Sequence, residues 1–124
     1  MTALPFNLVV LYVEDPKASA RFYADFLGLK PMALSDGFSS LTTDAGLTLG
    51  LWRKSTAHPP AEGGPGSSEI GIMAAGEGGV EALYDRVKLD GLTVIQPLVT
   101  AAFGPTFVVT DPDGHRIRVC QPDS

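Results

Sequence analysis

The chain has 124 residues, of which 44% are hydrophobic, so it is long enough to form one domain whose core needs no disulfide bonds. Its nine Lys and Arg residues stand against 14 Asp and Glu and are scattered along the chain, which argues against a nucleic-acid-binding protein. One cysteine, Cys120, excludes an intramolecular disulfide and a zinc site built on paired cysteines.

The first apolar segment, residues 6–13, is rich in Val and Leu and predicts a buried strand. No basic stretch precedes it and it is too short to cross a bilayer, so we expect a cytoplasmic protein with no membrane partner. A helix is predicted over residues 16–27, because Asp15 can cap its first turn, Pro16 suits the first helical position and Gly28 can end it.

Three strand-like segments follow this helix, at about residues 30–34, 38–43 and 47–53, and Gly-containing turns separate them. Residues 53–68 then contain three Pro and three Gly with no apolar period, which predicts a linker or an exposed flap.

The same succession returns in the second half of the chain. A strand at 69–74 precedes an amphipathic helix that is marked by Val80 and Val87 and ends at Gly91. Three more strands are predicted at about 92–96, 105–110 and 116–121. The turn 111–114 has Pro second and Gly fourth, as a tight hairpin turn prefers.

The two halves also echo each other in detail. The stretch from Phe22 to Leu29 has a loose counterpart from Leu83 to Leu92, roughly 61 to 63 positions later. We therefore expect an α+β protein of two βαβββ modules, packed as an open cup-shaped mixed sheet with the helices outside. As one domain over 1–124, it would have module one at about 1–53, a linker at about 54–68 and module two at about 69–124.

Two stretches resemble the signatures of the vicinal-oxygen-chelate superfamily of glyoxalases, bleomycin-resistance proteins and dioxygenases. The first runs from Val13 to Leu29 and contains VEDP, FY and LGL; the second runs from Phe107 to Arg118 and contains DPDG. Together they span essentially the whole chain and imply the superfamily's fold. They do not determine its chemistry, because the superfamily includes isomerases, dioxygenases, thiol transferases and metal-free proteins that sequester drugs.

The superfamily's metal enzymes hold their ion with His, Gln or Glu at four positions. The resemblance places these positions at Leu8, near Gly50, at or beside Glu69, and at Arg118. Leu and Gly offer no donor atom and Arg is a permanent cation, so the resemblance implies a metal-free branch with no cofactor. His58 and His115 are expected on the exposed surface, and no spacing in the sequence indicates a nucleophile–His site.

Because side chains alternate along a strand, these positions also predict which residues line the cup. Leu8, Val10 and Tyr12 would share one face, and the strands on either side of the linker would add small, aromatic and charged groups, the composition of a small-molecule site. The candidate ligand-binding residues are Tyr12, Thr48, Trp52, Glu69, Met73, Arg116 and Arg118.

We expect metal-free binding or sequestration of a small, partly aromatic organic molecule or antibiotic, as in the bleomycin-resistance branch. The alternatives are a metal-dependent lyase, isomerase or dioxygenase of the glyoxalase type, and a metal-free isomerase with Glu69 as general base. No catalytic residues are assigned. The resemblance also implies a homodimer, which the exposed edges of the sheet favour.

The two module-two ligand positions carry opposite charges here. In metal-bearing relatives, the side chains at these two positions converge on one ion. Glu69 and Arg118 should therefore lie within a few ångströms of each other. We therefore expect a partly buried Glu69–Arg118 pair that replaces the metal as a tie between strands.

Overall fold

The computed structural model describes residues 3–122, so the outermost residues of the expected domain, 1–2 and 123–124, lie outside the described part of the chain. The chain consists of two compact units, Met1–Glu62 and Gly63–Ser124, which we call module one and module two. Each contains a four-stranded mixed sheet and one α-helix in the order βαβββ, as the sequence predicted.

Module one is built from β1 (Leu8–Val13), α1 (Pro16–Leu27), β2 (Pro31–Ala33), β3 (Phe38–Thr42) and β4 (Thr48–Arg53). The strand order is β1-β4-β3-β2, and β1 runs parallel to β4 while the other neighbours are antiparallel. The parallel pair is possible because α1 carries the chain back across the sheet between its first and second strands.

Helix α1 begins and ends where the sequence predicted. The Asp15 carboxylate accepts hydrogen bonds from the backbone N–H groups of Lys17 (3.1 Å) and Ala18 (3.2 Å). Gly28 ends the helix with a φ of 70°, a left-handed conformation that glycine adopts without steric cost. Among residues 3–122, no helix is long and apolar enough to cross a membrane.

Module two is built from β5 (Glu69–Met73), α2 (Gly79–Leu89), β6 (Thr93–Ala101), β7 (Gly104–Thr110) and β8 (Arg116–Cys120). Its strand order, β5-β8-β7-β6, repeats that of module one, again with one parallel pair formed by the first and last strands.

Each sheet buries one face beneath its helix. In module one, Leu41 and Leu51 are fully buried together with Tyr23 of α1, and in module two Ile117 and Val119 are fully buried. Strand alternation explains the pattern, because β8 reads Arg-Ile-Arg-Val and its burial alternates with the sequence. This periodicity leaves the other face of each sheet without a helix.

Strand β6 is longer than predicted. We expected it to end near residue 96, but it continues to Ala101 and forms a hairpin with β7. Pro97 explains the error, because proline within an apolar run argues against a central strand. β6 is an edge strand, and its pairing with β7 shifts register on both sides of Gln96. A proline and an irregular ladder are both compatible with that position.

Two smaller boundaries also differ from prediction. Strand β1 begins at Leu8 instead of residue 6, and the expected linker contains a short 3₁₀ turn at Lys54–Thr56. Neither difference changes the order of the elements.

The predicted turn between β7 and β8 is present and is held by a buried carboxylate. The side chain of Asp111 accepts hydrogen bonds from the backbone N–H groups of Asp113 and His115, both at 2.9 Å. Asp111 is only 5% exposed, so both bonds are largely shielded from water.

Replacement of Asp111 with Ala should lower the free energy of unfolding by about 1–3 kcal/mol, because it removes the acceptor for two backbone donors. Urea denaturation followed by circular dichroism would measure the change. The control is Asp44→Ala in the exposed turn before β4, which should change stability by less than about 0.5 kcal/mol. Equal losses in the two variants would show that Asp111 does not stabilise its turn.

Candidate functional site

The face of each sheet that no helix covers, which we call the helix-free face, carries the candidate site residues. In module one this face consists of alternate residues of three neighbouring strands. They are Leu8, Val10 and Tyr12 of β1, their register partners Thr48, Gly50 and Trp52 of β4, and the β3 partners of those residues, Thr42, Ser40 and Phe38. In module two it includes the corresponding row around β8, namely Glu69, Gly71, Met73, Arg116, Arg118, Cys120, Thr106, Val108 and Thr110, together with Gln96.

Three aromatic rings cross the module-one face side by side. Trp52 on β4 is the register partner of Tyr12 on β1 and of Phe38 on β3. The ring centroids of Tyr12 and Trp52 lie 6.3 Å apart at 45°, and those of Phe38 and Trp52 lie 6.3 Å apart at 73°. Tyr12 and Trp52 are half-buried and Phe38 is 37% exposed. We call these three residues the aromatic row.

The Phe38 ring leans over Gly50, and this contact requires glycine. A Cβ atom on residue 50 would lie 2.7 Å from Cζ of Phe38 and 3.4 Å from a methyl carbon of Val10. Real Cβ atoms do not approach so closely, so any larger residue would displace the ring. The region near which the resemblance places a metal ligand is therefore covered by a ring from the neighbouring strand.

Thr48 lies at the other end of the same face. Its hydroxyl is 3.0 Å from that of Thr42, its partner on β3, and both side chains are half-buried. Each hydroxyl can act as donor or acceptor. The module-one face therefore has an aromatic end and a hydroxyl end, with the small residues Gly50 and Ser40 between them.

The module-two face is organised around Arg118. Its Nε donates to both carboxylate oxygens of Glu69, at 3.0 and 3.2 Å. Its Nη1 donates to the Gln96 side-chain oxygen and to the Thr106 hydroxyl, both at 3.2 Å. The predicted pair thus forms, although both carboxylate oxygens share one nitrogen instead of forming a two-nitrogen fork. The side chains are 27% and 35% exposed, so the pair is partly buried.

The remaining candidates on this face are exposed. The Arg116 guanidinium packs beside Gly66, with Nε 3.7 Å from the place a Cβ of that residue would occupy. Met73 is 65% exposed on the edge strand β5. The sequence predicted the Glu69–Arg118 pair and placed Tyr12 and Trp52 among the residues of one site. In the structure the two rings are also adjacent, and each of these contacts lies within a single module.

The sequence analysis missed three members of these clusters. Phe38 lies on a predicted strand, but only the β3–β4 register shows that it is opposite Trp52. Gln96 on β6 and Thr106 on β7 both accept hydrogen bonds from Arg118, and the pairing of these two strands is irregular. Outside these clusters, His115 is half-buried, whereas the sequence predicted that it is exposed.

The residues at the four positions that the resemblance assigns to metal ligands do not fit a divalent metal. In module one, the positions carry the hydrocarbon side chain of Leu8 and the bare backbone of Gly50, neither of which offers a side-chain donor. In module two, the single carboxylate of Glu69 is bound by the guanidinium of Arg118, a cation that repels a metal. No cluster of three or more His, Cys, Asp or Glu suited to a metal occurs within residues 3–122.

This chain belongs to the Glyoxalase/Bleomycin resistance protein/Dioxygenase superfamily, whose sequence profile matches residues 6–119. The resemblance inferred from the two signatures is thereby confirmed.

Among individual proteins, the chain is similar to the phenazine antibiotic resistance protein EhpR from Enterobacter agglomerans, at 32% identity over 120 residues that cover 94% of this chain and 92% of EhpR. It also resembles a protein from Agrobacterium tumefaciens solved by NMR in solution (TM-score 0.84, 32% identity, 98% and 100% coverage). A lactoylglutathione lyase from the same organism shares the fold (TM-score 0.78, 18% identity, 98% and 96% coverage).

Replacement of Gly50 with Ala should lower the free energy of unfolding by about 0.5–1 kcal/mol, because the new methyl group must displace the outer end of the Phe38 ring, which is partly exposed and can move aside. In a Phe38→Ala background the same change should cost much less, which a double-mutant cycle in urea would measure. Gly71→Ala is the matched control, because a Cβ there meets nothing within 4 Å. An equal cost of Gly50→Ala in both backgrounds would contradict this contact.

Replacement of Arg118 with Leu should destabilise module two by about 1–2 kcal/mol, at the lower end of the range for buried pairs because both side chains remain partly solvated. The control is Arg86→Leu, whose pair with Asp90 lies 3.5 Å apart with side chains 45% and 52% exposed. That change should cost only a few tenths of a kcal/mol. Thermal unfolding would compare the two, and indistinguishable losses would contradict a stabilising Glu69–Arg118 pair.

Proposed function

We propose that this protein binds a planar, aromatic small molecule without the help of a metal ion and thereby sequesters it, as an antibiotic-resistance protein does. The aromatic row is the observation that carries this proposal. The row places three adjacent rings on a sheet face that is only partly shielded from water.

Such a row suits a flat ligand for two reasons. Aromatic rings bury a large apolar area with few rotatable bonds, and they stack or pack edge-to-face against a second π-system. The Thr42–Thr48 hydroxyl pair on the same face could bond a ring nitrogen or a hydroxyl of the ligand. Apolar walls with sparse polar anchors are the usual composition of a small-molecule site.

The similarity to EhpR indicates a ligand class. EhpR is a phenazine antibiotic resistance protein, and a phenazine is a flat heteroaromatic compound of three fused rings. Because EhpR and this chain match over nearly their full lengths, phenazine is a reasonable first probe for the aromatic row.

Catalysis of the glyoxalase type is less well supported. A metal-dependent lyase, isomerase or dioxygenase would need donors that Leu8, Gly50 and Arg118 do not supply. A metal-free isomerase would use Glu69 as its general base, but both oxygens of that carboxylate already accept a hydrogen bond from Arg118. A base held in this way is less available to take a proton from a substrate.

A homodimer in the cytoplasm is part of this proposal. Three apolar residues at and before the β1 edge are solvent-exposed, namely Leu4 (92%), Phe6 (84%) and Leu8 (52%). An exposed apolar strand edge favours contact with a second copy of the chain.

Replacement of Trp52 with Ala should weaken phenazine binding by about tenfold or more, because it removes the central ring of the row. Isothermal titration calorimetry would measure the affinity. The change in unfolding free energy should be only about 1 kcal/mol, since Trp52 is half-buried. Trp52→Phe should retain much of the affinity.

The matched control is Phe103→Ala, which removes a ring that is 50% exposed on the β6–β7 turn. It should leave phenazine affinity unchanged. If Trp52→Ala lowered stability while phenazine affinity stayed the same, Trp52 would be a packing residue and the proposed function would be wrong.

Sedimentation equilibrium at about 20 µM should give twice the chain mass of 13.0 kDa. Replacement of both Phe6 and Leu8 with Ser should shift the equilibrium towards the monomer, because it removes exposed apolar area from the β1 edge. A monomer of the unmodified chain at this concentration would contradict the dimer.

A further inference from the structure

Side chains from three other strands hold the Arg118 guanidinium in place. Its Nε bonds to Glu69 on β5 and its Nη1 bonds to Gln96 and Thr106 on β6 and β7, so three neighbouring strands fix the guanidinium plane. Thr106 is only 1% exposed and passes its own hydroxyl hydrogen to the Val119 carbonyl at 2.8 Å, which fixes its lone pairs towards Arg118. The side chain is therefore ordered before any ligand arrives.

This ordered guanidinium still has donor capacity. A guanidinium carries five N–H groups. The contacts to Glu69, Gln96 and Thr106 use Nε and Nη1, and no residue within 3–122 accepts a hydrogen bond from Nη2. The side chain is 27% exposed, so solvent molecules can reach it. Beside it on β5 is Gly71, where a Cβ would meet nothing within 4 Å, so there is open space next to the register position of Arg118.

The charge of this face also favours an anion. The chain as a whole has a net charge of −5, yet the module-two helix-free face carries Arg116 and Arg118 against the single carboxylate of Glu69, which leaves +1. Arg116 makes no ion pair with any described residue. Val108, the register partner of Arg118 on β7, is apolar and 2% exposed, and such dry surroundings strengthen a hydrogen bond made beside them.

We infer that Arg118 binds the carboxylate of a small organic acid through Nη2, with Glu69, Gln96 and Thr106 acting as positioning residues. Glu69 has a second effect, because its negative charge partly offsets the guanidinium and limits the affinity for anions. The inference concerns module two alone and does not depend on the aromatic row. Either the inference or the proposed function can therefore be wrong while the other is right.

The test titrates the full chain with benzoate and, separately, with benzamide, which has nearly the same shape but no charge. Arginine ¹⁵Nε–¹Hε NMR signals report each guanidinium separately. The Arg118 signal should shift saturably with benzoate. The dissociation constant obtained from this signal should be at least about fivefold higher for benzamide than for benzoate. The Arg86 signal on α2 is the internal control and should not saturate.

Two variants separate recognition from a purely structural role. Glu69→Gln keeps a hydrogen-bond acceptor for Nε but removes the charge, so benzoate affinity should rise about threefold or more. Arg118→Leu should abolish the preference for benzoate, whereas Arg86→Leu, which makes the same change in net charge, should leave it intact.

Three results would overturn the inference. The Arg118 and Arg86 signals could respond alike, which would indicate general screening of surface charge. Benzamide could bind as well as benzoate. Arg118→Leu could keep the preference for benzoate, which would make Arg118 only a tie between strands.

Discussion

One constraint underlies the structure: each four-stranded sheet has a single helix to cover it, so only one face can be buried by its own module. Strand alternation then sorts the sequence, with Leu51 and Ile117 under the helices and Trp52 and Arg118 on the opposite faces. Residues on the helix-free faces are not required for the helix-covered cores. They can vary with function while the fold stays the same, as the similarity to a lyase at 18% identity illustrates.

The two helix-free faces differ at the positions that the resemblance assigns to metal ligands. In module one, the ligand position is a glycine, and the space above it is filled by the Phe38 ring from the next strand. In module two, the ligand positions are an anion and a cation that bond to each other at 3.0 Å. The first arrangement gives an apolar surface and the second an ordered polar one. Both arrangements suit the binding of an organic molecule proposed above.

The sequence predicted the elements well because their signals are local. Asp15, Pro16 and Gly28 act within one helix, and Asp111 acts within one turn. The Glu69–Arg118 pair was also predictable, since the resemblance assigned both residues to ligand positions. By contrast, Phe38 and Gln96 reach their partners only through the register of neighbouring strands, and β6 is irregular around its proline. Local patterns do not determine such register, so these contacts had to come from the structure.

The proposed function requires that a planar aromatic ligand binds here without metal and leaves unchanged. The most direct test is calorimetric titration of phenazine into protein dialysed against EDTA, repeated after addition of Ni²⁺, Zn²⁺ or Fe²⁺, with the ligand recovered and analysed by mass spectrometry. We expect the same dissociation constant in every case and full recovery of intact phenazine. Binding that requires one of these metals, or a ligand that is chemically altered, would contradict it.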